Sequence, residues 1–276
     1  MVRAGAIIQA RLGSERLPNK VLLPLPFNGG PTMLEHIVAR AAAATGLSKV
    51  VVATTDHPVD DAVQHLCITN QITCFRGSSE NVLARFIDTA KAHELDVIIR
   101  LTGDNPFVSP EIIAHTLQQH VASAVDYTTT EGLPLGMNVE VVQLNALIKA
   151  AQGAKEPLDK EHVTSFIRRA NDFEKQTVKF ESSCKSLRLT VDYPSDYALA
   201  SLIYAKLYKS DCLENFMLTD IEKLLQENQW LYEVNSHHTQ RIAFASESQE
   251  FKEAEKILQL GGFSRVLKHV KDKGYD

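Results

Sequence analysis

Short apolar runs alternate with longer amphipathic segments over the first 127 residues of the chain. The runs are rich in Val and Ile, which is typical of strands that are covered on both faces. They predict strands at residues 5–9, 49–53, 72–75 and 97–101. Apolar residues at helical spacing predict helices at residues 32–44, 59–70, 81–92 and 110–121. This alternation predicts an α/β fold with a mostly parallel sheet between two layers of helices.

The pattern is less regular beyond residue 127. Two further strands are predicted at residues 137–142 and 176–180, with helices at residues 144–151 and 159–169. An apolar run at residues 187–191 then predicts another strand, and Pro194 begins a helix. We therefore expect one main domain at residues 1–218, with an insertion at about residues 130–186 between two pieces of its sheet. A polar, helical C-terminal extension is expected at residues 219–276.

Composition narrows the class of protein. Of 276 residues, 44% are hydrophobic and 23% are charged, which excludes intrinsic disorder, and the net charge of −5 argues against a broad nucleic-acid interface. The four cysteines form no CxxC pair, so we expect reduced thiols. The apolar stretch near the N-terminus is too short for a membrane span or a secretory signal. We expect a cytoplasmic protein without a membrane or nucleic-acid partner.

The loop that follows the first predicted strand carries candidate phosphate-binding groups. Gly13 and Ser14 permit a tight turn with exposed backbone N–H groups, and Arg11, Arg16 and Lys20 supply three cations. Ligands of open α/β sheets bind at this end of the strands, and a triphosphate would fit there. The chain has neither GxxxxGK[ST] nor GxGxxG, which disfavours a P-loop ATPase and a dinucleotide-dependent dehydrogenase. A solvated surface loop is the alternative interpretation.

Two aspartates follow predicted strands and are candidate metal ligands. Asp104 comes after the strand at residues 97–101, beside Gly103, and Asp192 comes after the run at residues 187–191. Mg²⁺ takes one or two carboxylates together with phosphate oxygens, so the pair suits a metal–triphosphate complex if the two strands lie close together. An Asx turn is the alternative for Asp104. Asp196, in the first turn of a predicted helix, is better explained by capping.

Three motifs together resemble the cytidylyltransferases that activate acidic sugars, the synthetases of CMP-sialic acid and CMP-ketodeoxyoctonate. Residues 8–20 follow the signature I-P-A-R-x-x-S-x-R-L-P-x-K, with Gln9 in place of the proline. The GDxP element is present at residues 103–106, and the later aspartate element at residues 190–194. Within that family the chain resembles the branch named after the spore coat polysaccharide protein SpsF, through residues 75–86, 134–141 and 161–164.

The resemblance implies a fold, ligands and roles. It implies a three-layer, Rossmann-like nucleotide-diphospho-sugar transferase fold, a CTP site, Mg²⁺ and a homodimer built from the insertion, which would also hold the sugar. Catalysis would involve Arg11, Lys20, Asp104 and Asp192, and the metal ligands would be Asp104 and Asp192. The nucleotide would contact Ala10, Arg11, Gly13, Ser14, Lys20, Thr54, Ser78, Arg85 and Asp104. The acidic sugar would contact Arg100, Asn138, Glu140, His162 and Arg188.

Some of these assignments have alternatives. A structural salt bridge between Glu140 and Arg188 explains those two residues equally well, and His162 could be an interior histidine or a residue on the surface of a helix. The expected reaction is attack of a sugar hydroxyl on the α-phosphorus of CTP with loss of pyrophosphate. Alternatives are another nucleotide or a phosphonate acceptor, and a glycosyltransferase-like or non-catalytic nucleotide-sugar binding protein. The sequence around Asp104 lacks the second acid of the DxD motif typical of glycosyltransferases.

Overall fold

The computed structural model describes residues 2–209, 216–238 and 247–272. Within them the chain forms a seven-stranded sheet in the order β3-β2-β1-β4-β6-β5-β7. The strands are β1 (Ala4–Gln9), β2 (Lys49–Thr55), β3 (Cys74–Gly77), β4 (Val97–Thr102), β5 (Tyr127–Glu131), β6 (Glu140–Gln143) and β7 (Lys175–Lys179). Strand β6 runs antiparallel to both of its neighbours, and the other paired strands run parallel. The predicted mostly parallel α/β sheet is confirmed.

Helices connect these strands and begin where the sequence places capping residues. Thr32 and Glu35 form a capping box at the start of the first helix, and Ser109 caps the helix that begins with Pro110. The α-helices are α1 (Met33–Ala42), α2 (Asp61–Thr69), α3 (Val82–Ala92), α4 (Pro110–Ser123), α5 (Leu144–Gly153), α6 (Pro157–Glu161), α7 (Ser165–Arg169), α8 (Pro194–Leu207), α9 (Leu218–Glu227), α10 (Glu247–Leu260) and α11 (Ser264–Asp272). Short 3₁₀ helices lie at Lys20–Leu22, Pro58–Asp60 and Gln229–Glu233.

Two apolar cores lie on opposite faces of the sheet, because successive side chains of a strand point to opposite faces. Ile8 of β1 belongs to one core, with Leu34 of α1. The adjacent Ile7 belongs to the other core, with Phe86 of α3 and Leu147 of α5. All five side chains are almost completely buried. Helices therefore cover both faces of the sheet, as expected for a three-layer fold.

Strand β5 was not predicted. Its sequence, Tyr-Thr-Thr-Thr-Glu, contains no run of aliphatic residues. The three threonines are β-branched and favour strands. Because they are polar, an analysis based on apolar runs does not detect this strand. Pairing with β6 and β7 on its two sides makes β5 an interior strand.

The prediction of a single helix at residues 159–169 is wrong. The structure has two short helices, α6 and α7, separated at Val163, whose φ of 51° lies in the left-handed region. A left-handed residue interrupts the helical hydrogen-bond pattern. Asp159 of α6 accepts hydrogen bonds from Ser165 and from Arg169 of α7, so the two helices are joined by side chains across the break.

The apolar run at residues 187–191 is not a strand of the sheet, which corrects that prediction. It forms one isolated bridge, between Leu135 and Arg188. Gly136 explains why the ladder stops there: it has a φ of +100°, and a Cβ on it would lie 2.5 Å from the backbone nitrogen of Thr190. The two segments therefore approach closely at one point and do not continue as paired strands.

Contacts divide the chain into two units, residues 1–236 and 237–276. We expected the C-terminal extension to begin at residue 219. The structure places α9, which begins at Leu218, in the first unit. The reason is burial: Ile221, Leu224 and Leu225 of α9 belong to the apolar core. Helices α10 and α11 form the described part of the second unit. Among the described residues, no helix has both the length and the apolar character needed to cross a membrane.

Candidate active site

The loop after β1 is held by backbone hydrogen bonds at alternate residues. The N–H of Ala10 donates to the carbonyl of Ala53 in β2 at 3.3 Å, and the N–H of Leu12 donates to Oδ1 of Asp60 at 2.7 Å. Arg11, between them, has a side chain that is 53% exposed. The loop is therefore fixed through its backbone and presents the Arg11 guanidinium to solvent.

Lys20 lies at the centre of the candidate site. Its ammonium group donates to Asp104 Oδ2 at 3.0 Å, to Asp192 Oδ1 at 3.0 Å and to the carbonyl of Val191 at 2.9 Å. Three bonds use all three ammonium hydrogens. Burial of the ammonium opposes protonation, but the charges of the two aspartates outweigh burial and raise the pKa of Lys20. Lys20 is thus a largely buried cation, with a side chain 11% exposed, that holds two carboxylates together.

The two aspartates meet because the backbones that carry them are joined. The N–H of Val191 donates to the carbonyl of Asp104 at 2.8 Å. Gly103 connects these two segments to the loop after β1, because its N–H donates to the carbonyl oxygen of Gln9 at 2.8 Å. A Cβ on Gly103 would lie 3.1 Å from atoms of Ala10, Gln9 and Val21. Close packing of three backbone segments therefore places Lys20, Asp104 and Asp192 side by side.

Arg16 adds a second cation beside Asp192. Its Nη2 lies 3.4 Å from Asp192 Oδ1, and its Nη1 donates to the hydroxyl of Tyr193 at 2.9 Å. The guanidinium also lies over the Tyr193 ring, 4.6 Å from its centre. The hydrogen bond to Tyr193 raises the pKa of Arg16. The loop after β1 and the segment that carries Asp192 are therefore linked at two points, Lys20 and Arg16.

Arg188 pairs with aspartates and not with Glu140. Its Nη2 lies 3.1 Å from Asp196 Oδ2 and 3.6 Å from Asp192 Oδ2. Asp196 is buried, and its carboxylate also accepts backbone N–H groups of Asp192 and Tyr193 at 3.0 and 3.1 Å. Although burial favours the neutral acid, the bonds from Arg188 and the backbone lower the pKa of Asp196. Asp196 has the capping role expected for it and fixes the segment around Asp192.

Glu140 pairs with Arg100 in the neighbouring strand. Arg100 Nη1 lies 2.6 Å from Glu140 Oε2, and the other carboxylate oxygen accepts from the hydroxyls of Tyr127 and Thr164. Burial would raise the pKa of Glu140, but the charge of Arg100 and the bond from Tyr127 hold it below its ordinary value. Glu140 therefore connects β4, β5 and the segment before α7. The sequence analysis assigned no role to Tyr127 or Thr164, although Thr164 lies in the motif at residues 161–164.

The other residues assigned to the sugar lie at the surface. Asn138 and His162 are both exposed. His162 follows the last residue of α6, and the preceding Glu161 lies 3.8 Å from Arg11. This ion pair links the insertion to the loop after β1. Exposure rules out the interior position that was one alternative for His162.

The residues assigned to the nucleoside differ in burial and in the partners they have. Thr54 is buried in β2, and its hydroxyl has no hydrogen-bond partner among the described residues. Ser78 accepts the N–H of Asn81 at 3.0 Å, and its carbonyl accepts from the buried guanidinium of Arg85. Burial, together with the charge of Arg11, lowers the pKa of Arg85. Arg85 is thus a buried guanidinium whose charge interacts with that of Arg11.

The donor set fits a hard cation bound together with a triphosphate. Asp104 and Asp192 each have one oxygen 3.0 Å from Lys20 Nζ, so the two carboxylates lie side by side, and each has a second oxygen that does not bond to this ammonium. The described part of the chain contains no group of three or more His, Cys, Asp or Glu side chains that could hold a metal. Two protein carboxylates with the remaining positions left to phosphate oxygens and water are what Mg²⁺ commonly takes.

Comparison with known proteins places the chain in a family. Residues 5–242 match the family described as Cytidylyltransferase. The chain is 41% identical over 207 residues to the spore coat polysaccharide biosynthesis protein SpsF of Bacillus subtilis, a match that covers 72% of this chain and 85% of SpsF. It is 35% identical over 118 residues to 3-deoxy-manno-octulosonate cytidylyltransferase of Escherichia coli, covering 43% of this chain and 46% of the relative.

A solved structure agrees with these relatives. A cytidylyltransferase from Leptospira borgpetersenii serovar Hardjo-bovis superposes with a TM-score of 0.78 at 26% sequence identity, covering 88% of this chain and all of the other. The fold, the site at the carboxyl ends of the parallel strands and the sequence relatives lead to the same conclusion. The chain belongs to the cytidylyltransferase family and is a CTP-dependent nucleotidyltransferase.

Proposed function

We propose that this enzyme transfers CMP from CTP to a hydroxyl group of an acidic sugar, a nonulosonic acid or a related compound, and releases pyrophosphate. The observation that carries the proposal is the meeting of Asp104 and Asp192 at the buried ammonium of Lys20, 3.0 Å from each. A site with two carboxylates and several cations beside a loop with exposed Gly13 is suited to a metal-bound triphosphate.

In this proposal Arg11 and Ser14 contact the triphosphate, and Lys20 contacts it by exchanging one of its three bonds to protein oxygens for a phosphate oxygen. Arg11 is available because its exposed guanidinium has one loose ion pair, with Glu161 at 3.8 Å. The acceptor oxygen forms a bond to the α-phosphorus, the bond from that phosphorus to the bridging oxygen breaks, and pyrophosphate leaves. Phosphoryl-type transfer depends mainly on positioning and on neutralising charge, which cations at fixed positions provide. Mg²⁺ held by Asp104 and Asp192 would supply further neutralisation of the triphosphate oxygens.

Three features support an acidic acceptor. Arg100 is 18% exposed beside the insertion, and Asn138 and His162 are exposed polar side chains of the same region. The name of the relative from Escherichia coli includes 3-deoxy-manno-octulosonate, a sugar acid. Glu140 and Arg188 are held in ion pairs, so we assign them to orienting Arg100 and Asp192. Because three donors already bond to the Glu140 carboxylate, His162 is the better candidate to accept the proton of the sugar hydroxyl.

We also propose a biological setting. The similarity to SpsF supports a role in the synthesis of a surface polysaccharide. A homodimer formed through the insertion at about residues 130–186 rests on the family resemblance, and a cytoplasmic location rests on the four cysteines, which form no CxxC pair. Light scattering coupled to size-exclusion chromatography tests the dimer, and a mass of about 31 kDa, that of one 30.6 kDa chain, would contradict it.

Measurement of pyrophosphate release tests the reaction. The purified enzyme is incubated with Mg²⁺ and CTP, ATP, GTP or UTP, each with a panel of acidic sugars and with matched neutral sugars. We expect release that requires both CTP and an acidic sugar, with a CMP-sugar as the second product. Release with neutral sugars, or with a phosphonate offered in a parallel assay, and none with any sugar acid, would contradict the acidic acceptor.

A further inference from the structure

The carboxylate of Asp60 is buried next to the phosphate-binding loop and takes no part in the mechanism above. Its residue is 1% exposed. Oδ1 accepts the backbone N–H of Leu12 at 2.7 Å, and Oδ2 accepts the hydroxyl of Thr55 at the end of β2. Asp60 is therefore bonded to the loop that follows β1 and to the last residue of the adjacent strand β2.

The usual explanation for an aspartate at this position is helix capping, and the structure does not support it. Asp60 is the residue immediately before α2, where an aspartate side chain commonly accepts a backbone N–H of the first turn. Here the Asp60 side chain makes no capping bond with α2. Its two oxygens point instead to Leu12 and Thr55. The carboxylate therefore serves the loops and not the helix.

The bond to Leu12 fixes the peptide that joins Arg11 to Leu12. On the next residue, Gly13, an added Cβ would have no atom within 4 Å, so the loop faces open space there. The side chain of Leu12 is buried, whereas Arg11 and Gly13 are exposed on either side of it. One buried acceptor thus orients the loop so that its cation and its glycine face the space that a triphosphate would occupy.

The negative charge of Asp60 also acts on the buried guanidinium of Arg85. Burial and the charge of Arg11 lower the pKa of Arg85, and the charge of Asp60 opposes that change. The like charges of Arg11 and Arg85 repel each other, and the buried carboxylate of Asp60 makes the placement of Arg85 less unfavourable. The geometry of the Leu12 bond remains the main argument.

We propose that Asp60 is a positioning residue for the triphosphate of CTP: its buried carboxylate holds the loop after β1 in the form that binds phosphate. This inference rests on the proposed assignment of Arg11 and its loop to the triphosphate. A hydrogen bond to a charged group contributes more stabilising free energy than one between neutral groups. Loss of the bond from Leu12 to Asp60 should therefore weaken binding of CTP about tenfold or more. Loss of the Asp60 carboxylate should therefore weaken binding of the nucleotide and leave KM for the sugar unchanged.

Three variants separate positioning from general stability. Asp60→Ala removes both acceptors, whereas Asp60→Asn keeps an oxygen that can accept from Leu12. Asp61→Ala is the matched control, because the adjacent Asp61 is exposed and pairs with Arg76 instead of the loop. Binding of CTP and of inorganic tripolyphosphate is measured by calorimetry, steady-state kinetics give KM for each substrate, and hydrogen exchange reports the Leu12 amide.

We expect Asp60→Ala to weaken binding of both CTP and tripolyphosphate about tenfold or more. Its KM for the sugar should stay at the wild-type value and Leu12 should exchange faster, with Asp60→Asn recovering most of the affinity and Asp61→Ala binding normally. A folded Asp60→Ala enzyme with wild-type affinity would overturn the positioning role. If that variant does not fold, rapid exchange of the Leu12 amide in the free wild-type enzyme would overturn it.

The failure of the proposed function gives a different result. A wild-type protein that binds CTP but releases no pyrophosphate with any acidic sugar would contradict the proposed reaction and leave the role of Asp60 to be decided by binding. A wild-type protein that binds neither CTP nor tripolyphosphate would overturn the phosphate loop itself, and the role of Asp60 with it.

Discussion

The backbone N–H of Val191 donates a hydrogen bond to the carbonyl oxygen of Asp104 at 2.8 Å, and this bond brings together two segments that are far apart in sequence. The side chains of Asp104 and Asp192 then reach the same ammonium group, that of Lys20. Because the bond between the segments uses main-chain atoms only, a change in either aspartate side chain should leave the junction intact. Substitutions of Asp104 or Asp192 can therefore test the function of the site while the fold stays intact.

Replacement of Asp104 by alanine should abolish turnover and leave the fold intact. A single remaining carboxylate holds Mg²⁺ poorly, so the loss should be at least about a hundredfold in kcat/KM. The measurement is pyrophosphate release at saturating Mg²⁺, with circular dichroism to verify folding. Asp88→Ala, at an exposed position of α3, is the control and should keep wild-type activity. Near-normal turnover by the Asp104 variant would remove this carboxylate from the mechanism.

Replacement of Lys20 by methionine should change how the enzyme responds to Mg²⁺. Without the ammonium, Asp104 and Asp192 repel each other, which lowers Tm in the absence of metal. A cation that binds between them stabilises the native state by mass action, so Mg²⁺ should raise Tm more in the variant than in the wild type. Thermal unfolding with and without Mg²⁺ measures the difference. Equal shifts in the two proteins would show that the metal binds elsewhere.

Replacement of Arg11 by alanine should impair use of the nucleotide and leave stability almost unchanged. The guanidinium is 53% exposed, and its pair with Glu161 at 3.8 Å is too exposed and too long to contribute much to folding. We expect a higher KM for CTP, a lower kcat, or both, because this cation serves the phosphates in binding and transfer. Initial rates over a range of CTP concentrations test this. Unchanged kinetics would make Arg11 a solvated surface residue.

Sequence patterns predicted the site at the level of strand ends. The runs that form β1 and β4 are apolar and short, so their carboxyl ends, and with them the loop of Arg11 and Asp104, could be placed at one edge of the sheet. The same reasoning brought Asp104 and Asp192 together only on the condition that their two strands lie close together, and residues 187–191 are not a strand. One bridge and one backbone bond at Asp104 replace the expected ladder.

The partners of charged side chains could not be predicted in the same way. Glu140 faces Arg100 because β6 runs antiparallel to β4 in one particular register, and the other edge of β6 pairs with β5, which was not predicted. Asp60 precedes a helix, so its sequence context indicates a cap, while its actual acceptor role depends on a loop distant in the chain. Long-range pairing of this kind leaves no periodic signal in a single sequence.

His120 should make folding stability depend on pH between about 6.5 and 4. Burial lowers the pKa of His120 from 6.5 to about 4, and its ring is bonded to Thr128 at 2.8 Å and lies 3.2 Å from Gln143 Nε2. The unfolded chain takes up a proton near pH 6.5 and the native chain does not. Stability is therefore fully present above pH 6.5 and falls as the pH decreases toward 4, by up to about 3 kcal/mol.

Urea unfolding at pH 7 and pH 4.5 measures this loss, and His120→Asn should reduce it because no buried imidazole remains to be protonated. Other acid-sensitive groups act equally on both proteins, so the comparison isolates His120. His115→Asn is the matched control, since His115 lies on the same helix but is exposed, and it should keep the wild-type pH dependence. If His120→Asn loses as much stability in acid as the wild type, the buried imidazole is protonated in the native state as readily as in the unfolded one.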